Sequence, residues 1–284
     1  MKIIMLSGLP ASGKSSYAEE LVKKDGNWVR VNKDLIRTML HFDKWSGNNE
    51  SITQSVELAI AIEALKDGRN VIVDDTNLGE RHYNLWSGLA KDEGHTFEVI
   101  KINTPLEECI QRDSSRLKPV GKDVIIKMAM QYNLIKDWNN IIVCDIDGTI
   151  ADGEHRVHHL KSQPKDWKKY FSLLHLDSPR TEVIDEVFNL SLESGAKVIL
   201  VSARPETYRK ETIEWLNKYN VTYNALLMRS SNDSREDQII KREIYNKYLK
   251  HYNIIKVFDD RPRVIRMWKE IGLDVKDVGN GVEF

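Results

Sequence analysis

Short apolar, β-branched runs recur along the chain at 3–6, 28–31, 71–73 and 97–102. Between them lie stretches with helical periodicity, such as Ser51 to Lys66 and Glu80 to Lys91. Strands alternating with helices in this way predict βαβ units and a parallel sheet with helices on both faces. Pro105 opens a further helix predicted through Leu117, and another is predicted from Asp123 to Asp137; the pair would suit a lid over a nucleotide. After the turn signal Asn139-Asn140 the alternation begins again, with strands at 141–144, 197–201, 225–228 and 254–258. The expected fold class is therefore α/β, two doubly wound parallel-sheet domains over 1–138 and 139–284. Between 151 and 180 a polar, His-rich segment interrupts the pattern, an insertion expected to cap a site in the second domain.

A length of 284 residues accommodates two cores of ordinary size. Hydrophobic residues make up 41% and charged residues 30%, as in soluble globular proteins. No apolar run approaches the ~20 residues of a membrane helix. No membrane partner is expected, and the location is expected to be cytoplasmic (the host cytoplasm if phage-encoded). The apolar stretch after Met1-Lys2 is too short for a signal peptide and reads as the first strand. Cys109 and Cys144 show no metal-ligand spacing and fall in different predicted domains, which argues against a disulfide or zinc. A formal charge of −1 excludes a chain coated with basic residues for non-specific nucleic-acid binding, so any such contact should be local. The basic and aromatic stretch Lys161 to Phe171 could stack bases and hold phosphates, or could be a solvated helix with an aromatic core face.

Gly8-Leu9-Pro10-Ala11-Ser12-Gly13-Lys14-Ser15 follows the first strand and precedes a helix. Gly8 and Gly13 allow positive φ and close backbone approach, so that successive N–H groups and a helix N-terminus surround phosphates. Lys14 neutralises β/γ charge and Ser15 holds Mg²⁺, with Ser12 and Ser16 in the same nucleotide-binding set. The expected donor is ATP or another nucleoside triphosphate. Asp34 ends the second strand region, where a carboxylate could take the proton of an incoming hydroxyl or cap the helix beginning at Leu35. Asp75, with Asp74, ends the third strand as a Walker-B-like carboxylate that would act on Mg²⁺ or orient an arginine. Arg112 and Arg116, four apart on the predicted lid helix, would share one face and spread positive charge over a transferring phosphoryl group, unless that face is simply solvated.

Together Gly8 to Ser15, Asn32 to Arg37, Asp75-Thr76-Asn77-Leu78 and the Arg112/Arg116 pair resemble the motifs of the 5′-hydroxyl polynucleotide kinases of T-even-type phages. That family joins the kinase to a C-terminal 3′-phosphatase, and the resemblance spans nearly the whole chain. It implies Asp34 as general base, Arg37 near the acceptor phosphate and Arg116 on the transferred phosphate. Lys14, Ser15 and Arg112 would lie on the nucleotide side, and Asp75, Thr76 and Asn77 would be acceptor-side or arginine-orienting groups.

In the second half, Asp145-Ile146-Asp147-Gly148-Thr149 follows the strand 141–144 and is identified as the nucleophile motif of haloacid-dehalogenase-like phosphotransferases. Asp145 would attack phosphorus to form an aspartyl-phosphate, while Asp147 protonates the leaving oxygen and later activates water. Two such carboxylates would repel, so Mg²⁺ is needed beside the phosphate. The later motifs come in the order that this resemblance implies: Ser202 donating to the phosphate, Lys241 neutralising the aspartyl-phosphate, and Asp259-Asp260 completing a metal shell with Asp145 and Asp147. Arg204, Arg229 and Arg261 are the implied substrate-phosphate residues. Two departures bear on substrate preference, 3′-phosphate against 2′,3′-cyclic phosphate. Ala203 replaces a glycine of the best-known phage enzyme, and the segment after Thr149 contains His155, His158 and His159, which could bind metal or move protons, or could be surface residues.

The leading expectation is an enzyme that heals RNA or DNA ends, phosphorylating a 5′-OH and removing a 3′-phosphate to leave the termini a ligase requires. The resemblance also suggests a homo-oligomer. A nucleoside or small-metabolite kinase fused to a metabolite phosphatase is the alternative within enzymes, and a nucleotide-dependent switch with a structural phosphatase half the alternative outside them.

Overall fold

The computed structural model describes residues 1–161 and 164–281; Ser162 and Gln163 of the basic aromatic stretch, and the last three residues, lie outside the described residues. The chain divides into two compact units, Met1–Tyr132 and Asn133–Phe284. The division precedes the boundary expected at 138–140, because 133–139, with Ile135 and Trp138 buried, belongs to the second unit.

In the first unit the order is β1 (Lys2–Ser7), α1 (Lys14–Lys24), β2 (Trp28–Val31), α2 (Lys33–His41), α3 (Gly47–Lys66), β3 (Asn70–Val73), α4 (Glu80–Asp92), β4 (Thr96–Lys101), α5 (Leu106–Ser114) and α6 (Lys122–Gln131). The four strands form an all-parallel sheet in the order β2-β3-β1-β4. Ile3, Leu6, Val71, Ile72 and Val73 are fully buried, as expected for strands covered on both faces. The two predicted lid helices are shorter than their apolar periodicity implies. The first stops at Ser114, because the buried Asp113 carboxylate accepts from the Val120 and Gly121 amides (3.3 and 2.9 Å) and folds the chain back. The second stops at Gln131, ahead of Asn133 in the left-handed region (φ 51°).

The second unit runs β5 (Asn140–Cys144), β6 (Ala151–Asp152), α7 (Glu154–Lys161), α8 (Trp167–Ser172), β7 (Ser178–Pro179), α9 (Thr181–Ser194), β8 (Lys197–Pro205), α10 (Arg209–Lys218), β9 (Ala225–Arg229), α11 (Asp237–Ile244), β10 (Asn253–Asp259), α12 (Pro262–Glu270) and β11 (Val275–Asp277). Its main sheet is again parallel, β11-β10-β5-β8-β9, with β5 at the centre. The antiparallel β6/β7 pair closes the base of the insertion that carries α7 and α8. Both units are thus doubly wound α/β folds. Among the described residues, no helix is long and apolar enough to cross a membrane.

Candidate active sites

Register determines what meets at the carboxyl edge of the first sheet. Met5 is level with Val73 and Val31 with Val73, so the residues after β1, β2 and β3 emerge side by side. The P-loop turns through Ala11 (φ 60°) and Gly13 (φ 100°) into α1. A Cβ on Gly8 would lie 2.7 Å from the Ile102 carbonyl oxygen, which is why glycine stands there. Lys14 is buried and donates to the Gly8 and Leu9 carbonyls (3.0 and 2.7 Å) and to Ser12 Oγ (3.3 Å). Burial lowers its pKa to about 8, against the opposing pull of Asp74.

The carboxylate beside Ser15 is Asp74, not Asp75. Ser15 Oγ lies 3.4 Å from Asp74 Oδ1, and Arg30 Nε donates to Asp74 Oδ2 at 2.9 Å. Asp75 instead accepts from the Lys33 amide (3.0 Å), which ties it to the start of α2. Asp34 is not the cap of that helix; Asn32 is, accepting from the Leu35 amide at 2.9 Å. Asp34 is left 84% exposed, with Arg37 at 2.5 Å, and Arg37 is braced by Glu50 (2.9 Å). Arg112 reaches the P-loop, 3.5 Å from the Ser12 carbonyl oxygen. Arg116 lies beyond the end of α5, so the two arginines do not share a helix face; Arg116 sits by Asp113 at 3.7 Å. Ser16 is exposed on the first turn of α1. The Thr76 carbonyl accepts from the Gly8 amide at 3.1 Å. Asn77 is buried with its amide on the Leu6 carbonyl (2.9 Å), which fixes β1, while its Oδ1 meets no partner among the described residues.

The second site forms in the same way. Phe258 is level with Cys144, and Cys144 with Leu200, so Asp145 emerges between Asp259 and the β8 end that carries Ser202 and Arg204. Lys241 on α11 bonds both Asp145 (2.9 Å) and Asp259 (2.7 Å). Ligand atoms of Asp145, Asp259 and Asp260 lie within 4.8 Å of one another. Burial raises the Asp145 pKa well above the carboxylate range, with Asp259 and Asp260 adding repulsion that Lys241 only partly offsets. Burial and Asp259 likewise raise Asp260 to about 6. Three carboxylates facing one lysine leave uncompensated negative charge, which suits a divalent cation with hard oxygen ligands. Gly148 makes room for the cluster: a Cβ there would overlap the Asp260 carboxylate, and its φ is 78°.

Asp147, expected among the metal ligands, has its carboxylate turned away from that trio. It accepts from Arg204 (2.9 and 2.8 Å) and from Arg156 (2.5 Å). Burial alone would raise its pKa, but the Arg204 and Arg156 guanidiniums hold it well below the usual range. Both arginines, fully buried, also bond the buried Asp177, at 3.1 Å from Arg204 and 2.6 and 2.7 Å from Arg156. Arg156 and Asp177, inside the insertion, belong to the site although neither stood out in the sequence. The available signal was Arg156 four residues before buried Leu160, on the inward face of α7. His155 contributes only a contact to Asp177 (3.0 Å), while His158 and His159 face each other outside the metal trio.

Ser202 Oγ is buried and accepts from the Arg204 amide at 3.1 Å. Arg261 pairs with Asp237, which also takes Arg263 at 2.9 Å. Arg229 donates to the backbone carbonyls of Asp233 (3.2 Å) and Arg235 (2.8 Å), holding a loop at the rim. Asp145, Lys241, Arg229 and Arg261 line one cavity of about 430 Å³, walled on its outer side by the insertion.

The family model described as the polynucleotide kinase PNKP phosphatase domain matches residues 139–283, half of the chain, and a model described as an AAA domain matches residues 3–134. A protein of Autographa californica nuclear polyhedrosis virus, named for polynucleotide kinase and RNA ligase activities, is 26% identical over 95% of this chain. The chain spans only 41% of that relative's length. A bifunctional polynucleotide phosphatase/kinase of Schizosaccharomyces pombe is 32% identical over 32% of this chain and 18% of its own length. A solved chain from the Pnkp1/Rnl/Hen1 RNA repair complex is 29% identical, with 99% of this chain and 97% of that chain covered and a TM-score of 0.45.

Proposed function

The chain belongs to the polynucleotide kinase PNKP phosphatase-domain family, and from that premise we propose that it heals nucleic-acid ends. The first unit transfers the γ-phosphoryl group of ATP, or another nucleoside triphosphate, to a 5′-OH, and the second removes a 3′-phosphate. The observation that carries this reading is the pairing of two phosphate sites in separate cores: Lys14 and Ser15 with Asp74 in one, Asp145 and Lys241 with Asp259 in the other.

In the kinase, P-loop amides and Lys14 hold the donor's phosphates, with Arg112 against the loop and Arg116 on the transferring group. Exposed Asp34 takes the proton of the attacking hydroxyl, while Arg37, braced by Glu50, holds the neighbouring phosphate of the acceptor. In the phosphatase, the Asp145 carboxylate attacks phosphorus; the P–O bond to the 3′-oxygen breaks, and Asp147 gives that oxygen its proton. Asp147 then takes a proton from the water that hydrolyses the aspartyl-phosphate. In the arrangement described, Arg204 and Arg156 keep Asp147 ionised. A bound phosphate that draws on the same guanidiniums raises its proton affinity. Ser202 and Arg261 hold the phosphate oxygens, and Lys241 offsets the charge on Asp145. Asp145, Asp259 and Asp260 at one site, and Ser15 with Asp74 at the other, would hold Mg²⁺, which would supply charge neutralisation and Lewis-acid polarisation.

The termini so made are those a ligase joins, and the viral relative, named for both polynucleotide kinase and RNA ligase, supports that hand-off. The test is a short oligonucleotide with a 5′-OH and a 3′-phosphate, incubated with Mg²⁺ and γ-labelled ATP. Label gained at one end and phosphate lost at the other is expected. Turnover of small phosphate esters with neither end changed would move the reading to metabolites.

A further inference from the structure

The cavity that holds Asp145 and Lys241 is larger than a phosphate needs. Its 430 Å³ falls in the range that encloses a drug-sized molecule. Its outer wall is aromatic. Trp167 and Phe171 of α8, both in the cavity lining, lie nearly parallel (22°, centroids 5.9 Å), and Phe171 continues onto Tyr208 at 31° and 5.2 Å, so three rings form a staircase. Tyr170 supports the steps edge-on, at 85° to Trp167 and 76° to Phe171. Its other contact is the Arg156 guanidinium, 4.1 Å over its ring, and Arg156 bonds Asp147 at 2.5 Å. The staircase is therefore joined to the acid/base carboxylate by three successive side-chain contacts. Lys165 stands 5.8 Å over the Trp167 ring.

An aromatic cluster serving only the core would bury its largest ring. Here Tyr170 is buried while Trp167, the outermost step, is 48% exposed at the cavity mouth. We propose that Trp167, backed by Phe171, is the stacking platform for the base of the 3′-terminal nucleotide and so a specificity-determining residue of the phosphatase. This rests on the 3′-phosphatase reading above. A terminal base is separated from its 3′-phosphate by one sugar ring, so a phosphate at Asp145 brings the base to the outer wall of the same cavity. An indole face accepts any base, because every base has a π-face, and the cation at Lys165 suits the phosphate on the 5′ side of that nucleotide. The stack discriminates nucleotide ends from baseless phosphate esters without reading sequence.

The experiment compares kcat/KM for two oligonucleotides, each with a 3′-phosphate, one ending in a normal nucleotide and the other in an abasic residue. The protein is expected to prefer the base-bearing end by roughly tenfold, as stacking on an aromatic ring allows. Trp167→Ala should bring the ratio close to one, and Trp167→Phe should keep most of it. The ratio is internal to each variant, so a general loss of activity does not disturb it. In an Asp145→Asn background, a 3′-terminal 2-aminopurine should be quenched on binding, and adding Trp167→Ala should remove the quenching. Equal rates for the two oligonucleotides, or a preference that survives Trp167→Ala, would overturn the stacking platform and leave the phosphatase reading intact. Phosphate release from neither oligonucleotide, with small esters still hydrolysed, would overturn the phosphatase reading and the platform with it.

Discussion

Arg156 shows what single side chains contribute and what sequence patterns conceal. It is fully buried and bridges Asp147 and Asp177, so its removal leaves Arg204 as the guanidinium shared by both carboxylates. Breaking a buried pair in this way costs roughly 3–5 kcal/mol. Arg156→Ala should abolish 3′-phosphate release and lower the melting temperature of the phosphatase unit, with kinase activity retained. Arg156→Lys keeps the charge but not the fork that bonds both carboxylates, so phosphate release should still fall at least roughly tenfold. A kinetic and melting comparison of the three proteins checks this, and a phosphatase unaffected by Arg156→Ala would contradict it. In the other unit, Glu57 is buried beside Asp75; neither Glu57 oxygen is hydrogen-bonded among the described residues, and Asp75 Oδ2 has only a loose pairing with Lys33 Nζ at 3.6 Å there. Burial, then repulsion from Asp75, pushes the Glu57 pKa up to about 9, so the folded state keeps a proton that the unfolded chain releases near 4.5. The associated stability is present in full below pH 4.5 and is lost as pH rises to 9, by up to about 1.4 kcal/mol per pH unit. Melting of the kinase unit should therefore decline between pH 6 and 9, and Glu57→Gln should flatten the decline; parallel slopes would contradict the shared proton.

At the scale of elements, the strands were the legible part because parallel strands buried on both faces must read as unbroken apolar runs. Residues 28–31 form a strand with the expected ends, and the other runs shift by about one residue, except β8, which continues to Pro205. Position along a strand then gives chemistry, since a residue just past a parallel strand must lie at the sheet's carboxyl edge. Asp145 directly follows β5 and Asp259 ends β10, which is why both were expected at that edge. Helix ends were less legible. Asp113 stops α5 by bonding amides of a later loop, a tertiary event that apolar periodicity does not record. Asn133 did carry a local stop signal for α6. The choice of Asp74 over Asp75 at Ser15 depends on alternation of side chains at a strand end, which two adjacent aspartates cannot reveal. Gly148 tests the turn after β5: an alanine there meets the Asp260 carboxylate in a left-handed conformation that costs about 1–3 kcal/mol. Gly148→Ala should cut phosphatase kcat at least roughly a hundredfold with 5′-phosphorylation unchanged. Full phosphatase activity in that variant would show that the close approach is not needed.

For the whole molecule, the two α/β units each bring their own core, so the composition of one sheet does not depend on the chemistry of the other. Two such units in one chain explain why two phosphate signatures could be read half a chain apart with no shared residue. The second site's insertion was visible as an interruption of the pattern with a basic aromatic stretch, but the roles of Arg156 and Asp177 were not, because their contacts exist only once α7 folds over the sheet. The most direct measurement follows both ends of one oligonucleotide, 5′-OH and 3′-phosphate, with the native chain, Asp34→Ala and Asp145→Asn in parallel. Asp34→Ala should lose 5′-labelling and keep 3′-phosphate release, and Asp145→Asn should do the reverse. Loss of both activities from either substitution would contradict two independent sites that together heal an end.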